Sequence, residues 1–358
     1  WKDWIDRRWM RMYSIRMASA PGEQMRCGGC GAKVGAEVLS SMLSGLAIPP
    51  AQGMLLGLEA PDDAAVLRPP PGMAVVQSVD HFRAFLDDPF VFGEITAAHA
   101  LADLHAMGAR PWTALAVAAV PYIGGARMHA DLSAMMQGAV RVLEADGCTL
   151  VGGHSGEGLE AALGFAVTGL IEPTRLWRKS GLRVGDALLL TKPLGTGIVL
   201  AGHMRGLTKA RWLVAAIDSM RRSNAEAARV LATYGVTACT DVSGFGLAGH
   251  LMEMLRASGV SATIRLDAAP LLPGALELAR QGVASTLAPE NRLMLPAEAR
   301  TAEADLLIDP QTSGGLLAGV PAGRAEACVA ALQGAGMDAA MIGAVEPATA
   351  DAQQLRLV

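Results

Sequence analysis

Aromatic side chains are scarce in this chain, at 4% of its residues, and charged ones make up only 18%. Lys+Arg 30 against Asp+Glu 34 leaves a net charge of −4, so no global basic field attracts nucleic acid. Cysteine is thin as well. Cys27, Cys30, Cys148, Cys239 and Cys328, spread over 358 residues, do not make a disulfide framework, and a reducing cytoplasm is the compartment they fit. The last three stand alone in apolar surroundings and read as small core residues. No apolar run approaches the ~18 residues a membrane span needs. No apolar h-region precedes a secretory cleavage site, and the glycine loops are read as matching neither a Walker A sequence nor the dinucleotide Gly-x-Gly-x-x-Gly fingerprint.

Glycine and aliphatic residues are plentiful: 41 glycines point to many tight loops, and 51% hydrophobic residues supply core for two domains. The first residues differ from the rest. Lys2, Arg7, Arg8, Arg11 and Arg16 outnumber Asp3 and Asp6, while Trp1, Trp4, Ile5, Trp9 and Met12 fall on one face of a hypothetical helix. Residues 1–16 therefore read as an exposed tail or a linker cut from a longer chain, with contact to a membrane surface as the second reading. Residues 1–24 are taken as tail and linker, 25–172 as an N-terminal domain and 183–358 as a C-terminal domain.

Hydrophobic periodicity predicts helices over 36–46, 93–107, 126–145, 225–234, 247–255 and 324–334. It predicts strands over 73–79, 112–120, 149–151, 163–169, 187–191, 306–308 and 339–345. Helices and strands mix in both halves, so the class is α/β or α+β with sites on loops. His99 and Asp103 lie one turn apart on one helix face.

The chemistry-bearing residues cluster in a few runs. Met25 to Gly35 packs Cys27, Cys30 and Lys33 among glycines. An ammonium near a thiol stabilises the reactive thiolate, and a lysine is also a point charge for phosphate. A nucleophile-bearing loop, half a zinc site and a plain turn all fit this run. No second Cys pair at metal spacing follows, which argues against zinc, and a single thiolate helped by Lys33 is the better reading. Asp62, Asp63, Asp80, Asp103 and Asp241 lie at expected strand ends or on small-residue helices. Carboxylates gathered together need a cation, and Mg²⁺ takes such ligands together with phosphates. Each Asp taken alone is also an ordinary cap or turn residue. Asp309 reads as a turn former before Pro310. The runs Gly152-Gly153-His154-Ser155, 243–246 and 311–315 read as loops offering N–H groups and hydroxyls to phosphate.

In combination these segments resemble the selenophosphate synthetase (selenide, water dikinase) family, of the aminoimidazole ribonucleotide synthetase-like superfamily. The resemblance runs from about Met25 to Val358. It is carried by Gly29-Cys30-Gly31-Ala32-Lys33, Asp62-Asp63-Ala64-Ala65-Val66, Asp80, Ala102-Asp103-Leu104-His105-Ala106-Met107-Gly108, Gly152-Gly153-His154-Ser155, Thr191-Lys192-Pro193-Leu194-Gly195, and residues 240–246 and 309–315. It implies two α/β domains, with N-terminal sheets of two subunits paired into a barrel. It also implies conversion of ATP, selenide and water to selenophosphate, AMP and orthophosphate, the selenium donor for selenocysteine and selenouridine. Cys30 and Lys33 would be catalytic, on a mobile lid. Asp63, Asp103 and Asp241 would bind Mg²⁺. Lys33, Asp62, Asp80, Asp103, Gly152, Gly153 and His154 would contact ATP, and K⁺ is a further candidate cation. Selenide, ATP and a second copy of the chain are the expected partners, with no nucleic acid.

The chain departs from the family at Ala32, where many members have a second cysteine, at Cys27, which is extra, at His99, often Asn, and at Pro61, often polar. Residues 1–13 look like the end of an NADH dehydrogenase-like flavoprotein, to which some bacterial members are fused. Two alternatives stand beside this reading: another ATP-dependent kinase or synthetase of the superfamily, and a non-catalytic thiol or selenium carrier.

Overall fold

A computed structural model describes residues 32–58, 64–121, 125–295, 299–348 and 354–358. Cys27, Cys30, Asp62, Asp63 and the tail lie outside the described residues.

The first half opens with helix α1 (Ala36–Ser44) and a small antiparallel pair, β1 (Met54–Leu56) with β2 (Val66–Leu67). Strand β3 (Ala74–Arg83), helix α2 (Pro89–Ala106), strand β4 (Arg110–Pro121), helix α3 (Gly125–Ala145), and strands β5 (Thr149–Gly158) and β6 (Ala162–Ile171) follow. They form a four-stranded sheet in the order β3-β6-β4-β5, antiparallel except for β4 with β5, which α3 connects.

Helix α2 starts where Asp88 accepts a hydrogen bond from Val91 N (3.1 Å) and Pro89 takes the first turn, whose N–H needs no partner. It approaches α3 closely because both contribute a glycine. A Cβ on Gly93 would meet Met135 O at 1.9 Å, and one on Gly138 would meet Phe90 O at 2.0 Å. Phe92, Leu101 and Leu104 on α2 are buried against Leu132 and Leu143 of α3, each such burial contributing roughly 1.5–3 kcal/mol.

The second half comprises β7 (Asp186–Leu190), α4 (Thr196–Met204), α5 (Ala210–Arg221), α6 (Ala225–Leu231), β8 (Ala238–Asp241), α7 (Gly246–Ser258), β9 (Ser261–Ile264), α8 (Ala275–Arg280), α9 (Ala288–Asn291), α10 (Ala302–Leu307), β10 (Leu316–Pro321), α11 (Ala322–Gly334), β11 (Ala340–Glu346) and β12 (Leu355–Leu357). Its six-stranded sheet runs β12-β9-β11-β7-β10-β8. Every residue of β7 is buried, because both faces are covered. Leu188 and Leu190 pack with Leu247 and Leu251 of α7. Ala187 and Leu189 pack with Leu231 of α6 and Cys328 of α11.

Helix α2 also joins the two halves. Its Ile95 is buried among Val199, Trp212, Met220 and Leu272 of the second half. Its Glu94 is almost fully buried between Arg141 Nη2 (2.8 Å) of α3 and the Arg221 guanidinium of α5. A helix covered on nearly every side needs no amphipathic stripe, and α2 has little.

The mixed α/β class and the cores around Cys148, Cys239 and Cys328, all buried free thiols, agree with the sequence reading. Three local expectations need correction. Residues 306–308 are not a strand: Leu306 and Leu307 end helix α10, which Thr301 caps by accepting from Ala304 N at 3.1 Å. A short apolar run does not distinguish the two states, and the Thr-Ala-Glu-Ala-Asp start was the available signal. Asp80 does not end a strand, because β3 continues to Arg83 paired with Ala162. Residues 152–155 are not a loop either; they continue β5, paired with Leu115 to Ala118 of β4, after an irregularity at Ala114/Leu115 that leaves Val151 as the extra residue. Among the described residues no helix is long and apolar enough to cross a membrane.

Candidate active site

Alternation along β3 sends Ser78, Asp80 and Phe82 toward α2, and helical spacing sends His99 and Asp103 back toward them. Ser78 Oγ donates to Asp103 Oδ2. The Phe82 ring packs edge-on to His99 with centroids 5.3 Å apart. From the second half comes Asp241, the last residue of β8, almost fully buried. Burial, and then the Asp103 charge, push the Asp80 carboxyl up to about 6. Burial, then Asp103 and Asp80, push Asp241 up to about 7. The three carboxylates, from β3, α2 and β8, thus share one field at the joint between the halves.

Among the described residues no three Asp, Glu, His or Cys side chains close tightly enough to enclose a metal ion. Even so, the donor set suits a hard cation: oxygen atoms only, with burial and repulsion both resisting ionisation of Asp80 and Asp241.

His99 ties this cluster to the segment at 309–315. Its Nδ1 accepts from Ser313 N at 3.0 Å, so the neutral ring carries its proton on Nε2, which lies 3.8 Å from Asp80 Oδ1. Burial holds its pKa down at about 4, and the ring is neutral at pH 7. Ser313 O accepts from Lys192 Nζ (2.9 Å), and Lys192 also donates to Arg222 O. Lys192 is fully buried, and burial followed by the Arg222 charge brings its pKa down to about 7.

Residues 311–315 were expected to be open to phosphate. Instead three of their N–H groups, those of Gln311, Thr312 and Ser313, are used internally. Gln311 N donates to Ser243 O (3.0 Å), Thr312 N to Thr196 Oγ1 (2.9 Å) and Ser313 N to His99. Gln311 Oε1 accepts from Gly195 N and Thr196 N, at the start of α4. The segment is a clasp between the halves. Asp309 is more than a turn former: it is buried beside the N–H groups of Gly197 and Ile198, with its carboxyl pushed up to about 7 by that burial.

Ser313 stands out in this clasp. Alone among the described non-glycine residues it has a positive φ, +50°, and its buried hydroxyl has no hydrogen-bond partner. Ser313→Gly removes both costs while keeping the backbone contacts to His99 and Lys192. Allowing for the greater freedom of glycine in the unfolded chain, a gain of about 1 kcal/mol is expected. Urea unfolding checks this, and a loss of stability would show that the hydroxyl holds the clasp.

A second group of expected site residues lies along β5, an edge strand of the four-stranded sheet, at the opposite edge from β3. Lys33 bridges antiparallel to Gly156, and Val34 N donates to Ser155 O at 3.2 Å. The end of the Cys–Lys run therefore lies along the strand that carries Gly152, Gly153 and His154. Register places His154 opposite Val117, Val117 opposite Gly164 and Gly164 opposite His81. His154 thus shares the open face of the sheet, whereas Asp80 and Asp103 are on the helix side. The structure brings Asp80, Asp103 and Asp241 together and sets Lys33 beside Gly152–His154 as a separate group.

Two further polar residues, Lys192 and His250, were not singled out as site residues from sequence. The charge in the otherwise apolar Leu188 to Leu194 stretch was a signal for Lys192. The reading that no glycine loop matches the dinucleotide fingerprint needs correction: the turn after Asp241 spells Gly244-Phe245-Gly246-Leu247-Ala248-Gly249, which has that spacing. That motif needs a parallel βαβ unit, and β8 is an edge strand paired only antiparallel to β10.

Two matched segments cover most of the chain: AIR synthase related protein, N-terminal domain, over residues 61–171, and its C-terminal domain over 183–354. A selenide, water dikinase of Myxococcus xanthus is 40% identical over 332 residues, 90% of this chain and 94% of that protein. The chain belongs to the selenide, water dikinase family. Another such dikinase, from Pelobacter propionicus, is 41% identical over 324 residues, covering 88% of this chain and 92% of its own. Solved structures share the fold at lower identity. Thiamine-monophosphate kinase of Stenotrophomonas maltophilia superposes with a TM-score of 0.68 at 19% identity, over 90% of this chain and 94% of its own. Hydrogenase maturation protein HypE in complex with ATP does so at 0.60 and 19%, over 80% of each chain. The dikinase family has the two-part AIR synthase architecture seen here, and the sequence-based resemblance stands.

Proposed function

We propose that this chain performs the reaction for which its family is named: ATP, selenide and water give selenophosphate, AMP and orthophosphate. The observation that carries this reading is the convergence of Asp80, Asp103 and Asp241 at the joint of the two halves. Such a cluster suits a cation-bound triphosphate and has no evident use in packing. Mg²⁺ is the proposed cation, held by Asp63, Asp103 and Asp241; when bound it neutralises phosphate charge. Asp62, Asp80 and Gly152 to His154 are proposed to contact ATP. The uncharged Nε2–H of His99 faces Asp80 Oδ1 at 3.8 Å.

Hydroselenide is already a strong nucleophile, so the chain needs no base to activate it. It needs delivery and exclusion of water, which a closing segment carrying Cys30 and Lys33 supplies. Lys33 also stabilises charge that spreads over the transferring phosphoryl oxygens. The domain division at residues 172–183 and a cytoplasmic location form part of this proposal.

A homodimer is proposed on a separate observation. The open face of the four-stranded sheet exposes Val75, Val79, Leu115 and Val117, with Val79 65% accessible. An apolar sheet face of this kind calls for a cover, and a second copy pairing sheet to sheet supplies it. Sedimentation is expected to give the mass of two chains, and a monomer at micromolar concentration would refute the pairing.

The reaction itself is tested by supplying ATP with and without selenide and resolving the nucleotide product. AMP with selenophosphate is expected, dependent on selenide. ADP as the final product would favour the other reading, a kinase like the thiamine-monophosphate enzyme that shares the fold. Exchange of K⁺ for Na⁺ in the same assay tests the monovalent cation.

A further inference from the structure

The turn after Asp241 holds three side chains in a line. Ser243 Oγ lies 3.2 Å from His250 Nε2, and His250 Nδ1 lies 3.6 Å from Glu253 Oε2. The serine is hydrogen-bonded to one ring nitrogen; the other, buried and without a hydrogen-bond partner of its own, has the carboxylate just beyond hydrogen-bond reach, the order of an acid–imidazole–hydroxyl relay. Helix α7 produces this spacing: His250 and Glu253 are three residues apart on one face, and Ser243 precedes the first turn. The hydroxyl is not spent on capping, since no side chain caps the start of α7. The Ser243 carbonyl accepts from both Gly246 N and Gln311 N, each at 3.0 Å, so its backbone is pinned.

Accessibility grades along the line. Ser243 is half-buried at the turn, and His250 is 5% exposed behind it, packed on the Phe245 ring with centroids 5.5 Å apart. Lys179 also pairs with Glu253. Burial, then Lys179, lower the His250 pKa against the opposing pull of Glu253 and Asp103. These surroundings favour the uncharged ring, the form that can accept a proton.

The reaction proposed above leaves a task without an assigned group. Once selenide takes a phosphoryl group from ATP, ADP remains, and water must cleave it to AMP and orthophosphate. Water, unlike hydroselenide, is a poor nucleophile and needs a base. We propose that Ser243, backed by His250 and Glu253, activates the water that cleaves this ADP. The inference rests on the proposed selenophosphate-forming reaction.

As the water oxygen bonds to the β-phosphorus, one of its protons passes to Ser243 Oγ while the proton of that hydroxyl passes to His250 Nε2. The bond between the β-phosphorus and the bridging oxygen breaks, and its electron pair leaves on AMP. Glu253 stabilises the imidazolium, which then releases the one net proton to solvent. Ser243 is the catalytic group; His250 and Glu253 act through it.

The test follows ATP, selenide and ¹⁸O-water by phosphorus NMR in the full chain. Ser243→Ala is expected to keep forming selenophosphate but to accumulate ADP, with AMP formation reduced ~100-fold or more, the usual contribution of a general base. Ser243→Thr, which keeps the hydroxyl, is expected to restore AMP. His250→Gln is expected to give the same arrest at ADP by an independent route. AMP and selenophosphate appearing one-to-one in Ser243→Ala and His250→Gln, at any rate, overturns the relay. Failure of the unaltered chain to form selenophosphate overturns instead the reaction on which the relay rests.

Discussion

Cys30→Ser is expected to abolish selenide-dependent AMP formation while leaving ATP binding near that of the unaltered chain. At neutral pH a thiol beside an ammonium is substantially thiolate, whereas a serine hydroxyl is not ionised. Serine keeps the shape of the side chain and removes the polarizable anionic sulfur. Lys33, bridged to Gly156 at the edge of β5, anchors the following residues against the strand that carries Gly152, Gly153 and His154. The cationic partner thus has a defined place on the fold. The check measures selenophosphate yield and equilibrium ATP binding on the same sample. Full yield from Cys30→Ser would remove Cys30 from the mechanism; loss of ATP binding would place its role in the fold.

Asp241→Asn is expected to act in opposite directions on activity and on stability. It removes one charge of the proposed cation site, and a loss of ~100-fold or more in turnover is expected, as for other electrostatic groups in active sites. Stability should rise, because Asp241 is buried next to Asp103 and Asp80 and resists ionisation there. A carboxyl whose folded pKa is raised binds its proton more tightly in the folded state. Its ionisation therefore destabilises the fold progressively as pH rises from about 4 to about 7.

The asparagine variant lacks this penalty. Melting curves in a chelating buffer are expected to coincide near pH 4, and the variant should melt higher by about 3 °C or more at pH 8. Lys192, with its pKa brought down to about 7, contributes a dependence of the opposite sign above that pH, and because the Asp241 charge pulls that pKa upward, this dependence sets in at lower pH in the variant. A variant less stable at pH 8 would mean that the carboxylate is already compensated within the fold.

Legibility in the sequence followed the range of each interaction. The α2 segment was visible from its spacing, with His99 and Asp103 placed on one face, because helical neighbours are set by three or four intervening residues. The three isolated cysteines were correctly read as core, because a small apolar side chain in an apolar run has little alternative. The four strands of the first sheet were found approximately, though not their ends; of the six in the second sheet only β7 and β11 were found, and β8, β9, β10 and β12 were missed. Residues 152–155 look like a loop because glycine pairs usually mark turns; what makes them strand is the register with β4, more than thirty residues earlier. The run at 306–308 reads as strand by its apolarity and is helix because of Thr301 and the packing of Leu306 and Leu307 against separate cores.

The sequence by itself determined the family and the set of reactive groups: a thiol with a lysine, aspartates in small-residue settings, and glycine-rich runs in a recognisable order. These are properties of local chemistry and spacing, and they remain true of the unfolded chain. Only the tertiary structure decided how the groups are distributed. It gathered Asp80, Asp103 and Asp241 from three elements while setting Lys33 beside β5, the strand that carries His154. It closed residues 311–315 into a clasp between His99 and Lys192, and it aligned Ser243, His250 and Glu253. Those outcomes depend on which face of a strand is covered and which backbone N–H is already taken, and both are settled by contacts between residues up to more than two hundred positions apart.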